Sequence, residues 1–197
     1  MSSPEQSGGD LPREHADQEL VRRAQAGDRH AFDRLVLRHG EFVLSLAMRI
    51  LGHRAEAEDA AQEVFLRMFR AIDRVDPARP LTPWLARVAL NVARSHRRRH
   101  PGRKETALPE NNAPRARGSS PEEHIQGLDR RAALRAAIEI LTHRQREAFI
   151  LRDLQGMPAD TVAQTLGISV ITVRRLSTEA RRRILAWMRS ERPELLP

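Results

Sequence analysis

Apolar residues recur at three- and four-residue spacing through most of this chain and strict alternation is nearly absent, so the pattern predicts an all-α fold. Residues 1–16 carry no such stripe and are rich in Ser, Gly and Pro, which predicts a disordered tail. Asp17 then reads as an N-cap, followed by Leu20, Val21 and Ala24 on one face and Gly27 as a stop. Asp28 caps a longer helix whose Phe32, Leu35, Val36, Val43, Leu46, Ala47, Ile50 and Leu51 keep the period as far as Gly52. A third helix over about 55–72 turns Ala57, Ala61, Val64, Phe65, Met68 and Ile72 inward. A fourth starts at Thr82-Pro83, a cap followed by a proline at the first helical position. Residues 17–100 therefore form one small helical domain.

The pattern breaks over 101–120, "PGRKETALPENNAPRARGSS", which predicts a flexible linker. Order resumes at Ser120-Pro-Glu-Glu123, a capping box with proline behind the cap, and a second helical domain runs over 121–190, leaving 191–197 as a tail. Within it, "ADTVAQTLGISVITVRRL", residues 159–176, has helix-turn-helix spacing. Val162, Ala163 and Leu166 face inward, Gly167 permits the turn, Ile168 fills the corner, and Val173 and Leu176 anchor the second helix.

Charge adds chemistry to this frame. Lys+Arg number 34 against 26 Asp+Glu, a net charge of +8, and Lys104 is the only lysine. An arginine inventory of this kind suits phosphates and base edges, so a polyanionic partner, nucleic acid, is expected. The absence of cysteine removes disulfides, thiolate nucleophiles and Cys-ligated zinc. No secretion signal or membrane span is evident, which predicts a cytoplasmic protein. His96 and His100 share a helical face inside an arginine run that repels cations, so no metal is expected there. No phosphate loop or catalytic constellation is recognisable; neither a cofactor nor an enzymatic activity is expected.

Two further surfaces stand out. On the fourth helix Leu85, Val88, Ala89 and Val92 share a buried face while Trp84, Arg87, Asn91, Arg94 and Arg98 form another, with Arg97 beside them. A ring, an amide and guanidiniums on one exposed stripe suit unpaired DNA, since stacking one base is worth about 1–3 kcal/mol. On the second helix of the helix-turn-helix, Ser169, Val170, Thr172, Arg174 and Arg175 are placed to reach base edges, with Arg181, Arg182 and Arg183 near phosphates. The third helix presents Asp59, Gln62 and Glu63 opposite its apolar face.

Taken in order, "DQELVRRAQAGDRHAFDRLVLRH", "AEAEDAAQEVFLRMF", "WLARVALNVARSHRRR" and "LTHRQREAFILRDLQGMPADTVAQTLGISVITV" resemble bacterial sigma factors of the extracytoplasmic-function class, in the sigma-70 family, over roughly 17–188. The resemblance implies a dissociable subunit of core RNA polymerase that directs transcription to particular promoters. It implies that Asp59, Gln62 and Glu63 dock on the clamp helices of the β′ subunit, and that the second domain works at the β flap. It also implies that Trp84, Arg87, Asn91, Arg94, Arg97 and Arg98 meet opened −10 DNA, while the helix-turn-helix reads duplex at −35, and that an anti-sigma factor controls the protein. Leu81 replaces a common aromatic and Ser95 a frequent acidic residue. After Val173 the chain reads "RRLSTEAR" where Lys-Ser-Arg-Leu-x-Arg-Ala-Arg is common, which sets Ser177 in the place of a packing leucine and Glu179 near phosphate. Two alternatives remain on the residues alone: a stand-alone helix-turn-helix regulator, and a sigma-like protein that titrates an anti-sigma factor.

Overall fold

The computed structural model describes residues 11–99 and 121–195. The expected linker over 101–120, the capping serine at 120 and the first ten residues of the expected tail lie outside them.

The first domain is built from α1 (Leu11–Gln25), α2 (Arg29–Leu51), α3 (Arg54–Ala71) and α4 (Leu81–Arg99), with a 3-10 turn over Ile72–Arg74. Asp28 caps α2 through a bond from the Ala31 amide, and Gly52 closes it in the left-handed conformation at φ 79°. The helices bury their apolar stripes against one another, with Leu35, Val43, Leu46, Val64, Met68, Leu85 and Val92 inaccessible to solvent. α4 begins one residue before Thr82, so Pro83 falls in the first turn, where its missing N–H has no intrahelical partner to lose.

α1 differs from expectation. It starts at Leu11, inside the stretch expected to be a tail, and Asp17 is a mid-helix residue rather than a cap. Asp17 is 7% exposed and tied to α2, accepting from Arg38 Nη1 at 2.6 Å and lying 2.9 Å from His39 Nε2, itself buried. Burial pushes the Asp17 carboxyl up, but the bonds to His39 and Arg38 outweigh it and leave the pKa below the usual carboxylate range. A carboxylate held low contributes stability that is complete above its unfolded pKa of about 3.9 and is lost as pH falls through the folded value. Acid titration of thermal stability will therefore show a steeper decline below about pH 4 in wild type than in Asp17→Asn.

The second domain comprises α5 (Pro121–Glu139), α6 (His143–Phe149), a π-helical turn over Ile150–Leu154, α7 (Ala159–Leu166) and α8 (Val170–Glu191). α6 starts with a capping box between Thr142 and Gln145. Ala137, Ile138, Leu141, Phe149, Ala180 and Ile184 form its own cluster, but Ile150, Leu151, Val162, Leu166 and Val173 join the core of the first domain. The two domains thus pack face to face through α4 and α7. Gly167 turns α7 into α8 at φ +66°, a left-handed conformation that costs a side-chain-bearing residue energy even though the space around it is open.

The inward stripe of α8 is Val173, Ser177, Ala180 and Ile184, with Leu176 half-buried at its flank. Ser177 is 1% exposed and its hydroxyl has no partner. A buried hydroxyl without a hydrogen bond carries a desolvation cost, so Ser177→Ala should raise stability by about 1 kcal/mol, read as a higher denaturant midpoint at unchanged m-value.

Candidate nucleic-acid interface

α3 places its polar residues on two different sides. Asp59 and Gln62 are exposed, and the same stripe continues into Leu66 and Phe69, 55% and 57% exposed. Phe69 leans edge-on against Phe32 of α2, their ring centroids 5.2 Å apart. Leu66 and Phe69 were not among the expected site residues, although their spacing of four and seven from Gln62 puts them on its face. An apolar patch with a polar edge is the anatomy of a protein-docking surface. Glu63 stands apart from that stripe: it is half-buried, accepts from Arg67 at 2.5 Å and lies 3.0 Å from Nε2 of His96 on α4. Burial pushes the Glu63 carboxyl up, but those bonds hold it below its ordinary value, so it is ionised near neutrality.

α4 is apolar on more than one side. Leu81, Leu85, Ala89 and Val92 are buried, and so are Ala86, Leu90 and Ala93. The expected stripe of Trp84, Arg87, Asn91, Arg94 and Arg98 is therefore only partly open to solvent. Trp84 is half-buried beside a groove of about 810 Å³ shared with Arg74, Arg79 and Arg87. Asn91 is exposed, its side-chain oxygen accepting from Arg94 at 3.3 Å. Arg87 and Arg94 point at the second domain: Arg87 Nε donates to the Thr165 carbonyl at 3.1 Å, and Arg94 Nε to Glu147 at 2.6 Å. Arg97 is paired with Glu139 at 3.0 Å, and Arg98 is exposed.

The helix-turn-helix forms with the expected turn, but its polar residues divide between bracing and display. Ser169 is the N-cap of α8, its hydroxyl accepting from the Thr172 amide at 3.1 Å and paired with the Thr172 hydroxyl at 2.8 Å. Val170 is half-buried against the core. Arg183 braces the fold, donating to Gln145 and to the Ile140 carbonyl, and Arg181 is paired with Asp153 at 2.5 Å. Arg174, Arg175 and Arg182 line a shallow outward groove with Ile171, Thr178 and Glu179. Ile171 is 78% exposed and was missed by the sequence reading, because an apolar residue in a helix is assigned inward by default. Glu179 has no ion-pair partner among the described residues, so its charge is displayed with the arginines.

Comparison with known proteins matches residues 35–102 to the family model of sigma-70 region 2 and residues 131–184 to that of sigma-70 region 4. The chain is 34% identical over 180 residues to the RNA polymerase sigma-H factor of Pseudomonas aeruginosa, covering 85% of this chain and 91% of that protein. It is 32% identical over 176 residues to the ECF RNA polymerase sigma-E factor of Escherichia coli, covering 85% and 92%. Among solved structures it is similar to CnrH in complex with the cytosolic domain of CnrY, at a TM-score of 0.69 and 29% identity, covering 89% of this chain and 99% of that one. The sigma factor RpoE bound to the anti-sigma factor NepR, from Bartonella quintana, shares the fold at a TM-score of 0.62 and 21% identity.

Proposed function

Since the chain belongs to the extracytoplasmic-function sigma factors of the sigma-70 family, promoter-directing subunits in transcription initiation rather than enzymes, we propose how its surfaces divide that work. Residues 17–100 dock on core RNA polymerase through Asp59, Gln62, Leu66 and Phe69 of α3, against the clamp helices of β′. They read opened −10 DNA through Trp84, Arg87, Asn91, Arg94, Arg97 and Arg98 of α4. Residues 121–190 read −35 duplex from the outward face of α8, with Arg174, Arg175 and Arg182 as principal contacts and Thr172 beside them, and meet the β flap. Ser169 and Val170 help place α8, and Arg181 reaches DNA only by leaving Asp153. Glu63 links the two working faces of the first domain.

The observation that carries this reading is the contact of 3.0 Å between the Glu63 carboxylate and His96 Nε2, which ties α3 to the basic, tryptophan-bearing α4. An anti-sigma factor is the proposed regulator, as the complex of RpoE with NepR supports for the fold. No helix among the described residues is long and apolar enough to cross a membrane.

Run-off transcription with purified core RNA polymerase and genomic promoter fragments tests the proposal. Specific transcripts should require this protein, and Asn91→Ala should reduce them by about tenfold or more, the loss of one good base contact being worth about 1–3 kcal/mol. Transcripts indifferent to Asn91→Ala would remove α4 from −10 reading.

A further inference from the structure

The outward groove of α8 contains one side chain with no polar chemistry. Ile171 is 78% exposed in the first turn of the helix, whereas Val173, Ala180 and Ile184 of the same helix are buried. A branched apolar side chain left in water forgoes the burial that keeps isoleucine inside most folds, so a partner that covers it gains apolar contact. Its surroundings say what kind of partner that is. The residues three, four, seven and eight positions on, which share its side of the helix, are Arg174, Arg175, Thr178 and Glu179, and all line the same groove. No apolar patch of the size that protein partners use forms around Ile171. What fits is a small apolar group set among acceptors and negative charge. The turn that presents it is braced, because the Ser169 hydroxyl accepts from the Thr172 amide at 3.1 Å and pairs with the Thr172 hydroxyl at 2.8 Å.

The major groove of duplex DNA offers one such group, the 5-methyl of thymine, beside base-edge acceptors and between phosphate backbones. We propose that Ile171 is a specificity-determining residue that reads a thymine of the −35 element through this methyl group. The proposal rests on the assignment of α8 to −35 DNA and divides the reading within it. Arg174 and Arg175 supply forked donors to guanine or phosphate, and Ile171 distinguishes thymine from cytosine by apolar contact alone. Helical rise fixes where the thymine falls. Three to four residues advance about 4.5–6 Å along the axis, and base pairs are stacked about 3.4 Å apart. The thymine therefore lies within about two base pairs of the position held by Arg174 or Arg175.

Replacing thymidine by deoxyuridine removes the methyl and leaves every Watson–Crick group in place. The chain assembled with core RNA polymerase is bound to promoter duplexes found by run-off transcription, with the −35 thymidines exchanged one at a time. At one position the wild type should lose about three- to fivefold in affinity. Ile171→Ala should bind the unmodified duplex weaker by a similar factor and be indifferent to deoxyuridine at that position, while Ile171→Val should fall between. The melting temperature and the affinity for core polymerase should be unchanged in Ile171→Ala, because the side chain is exposed. Three results overturn the proposal: promoters whose −35 segments share no thymidine, a wild type indifferent to every exchange, or an Ile171→Ala that loses as much as the wild type at each one. A loss of core affinity in Ile171→Ala overturns it too, by making the residue a protein contact. Arg174→Ala/Arg175→Ala separates this failure from that of the underlying assignment: if promoter binding survives that pair unchanged, α8 does not read −35 DNA, whereas sensitivity to the arginines with indifference to deoxyuridine strikes Ile171 alone.

Discussion

Core RNA polymerase will bind Phe69→Ala about thirtyfold more weakly than the wild type, a loss of about 2 kcal/mol, and Asp59→Ala alone will cost severalfold less. The ranking follows from exposure and chemistry. Phe69 is a rigid ring 57% open to solvent beside Leu66, so a partner that covers it gains apolar burial at little entropic cost. Asp59 is an exposed charge at the edge of the patch, where solvent and salt screen its attraction. Folding loses only the edge-on contact with Phe32, worth about 1 kcal/mol, so the melting temperature should fall by a few degrees. Equilibrium binding to labelled core, with thermal unfolding in parallel, distinguishes docking from folding. If Asp59→Ala proves the more damaging, the apolar half of the patch is not the anchor. Asp59→Ala/Gln62→Ala together should reduce run-off transcription by more than tenfold.

Leu85→Ala will destabilise the protein by about 3 kcal/mol, within the 2–5 kcal/mol usual for such a cavity, and lower its melting temperature by about 6–12 °C. Leu85 is wholly buried on α4 within the larger apolar core, so its truncation leaves a cavity. Leu37→Ser, at a site 82% exposed, should stay within about 0.5 kcal/mol and serves as the control. A comparable loss in both would mean that the chain is not packed around α4.

The helices and their punctuation were readable because the signals are local: Asp28 before a periodic run, Gly52 and Gly167 at its end, a capping box at Thr142. The first turns of α1 are not legible, because Leu11–Ala16 has no apolar stripe to announce them. Asp17 and His39 were unreadable for a different reason. A charged residue is assigned to the surface unless its partner is visible, and theirs lies 22 residues away. Ser169 carries a legible cap signal, a serine before a helical run, and its hydroxyl serves as that cap at the start of α8. The second buried side of α4 was also in view. "LARVALNVA" is apolar around most of its circumference, and a helix of that kind is covered on more than one face. What covers it comes from a segment beyond the linker, which no periodicity can indicate.

The carboxylate of Glu63 is shared between Arg67 on its own helix and His96 on α4, and so fastens the two helices to each other. If one helix is fastened to the enzyme and the next to the DNA, the pair behaves like a surveyor's chain of fixed length between the machine and its landmark. Its stiffness sets how sharply the first nucleotide is chosen. Slackening that link lets the machine keep both its grip and its landmark while the transcripts' 5′ ends scatter over neighbouring positions.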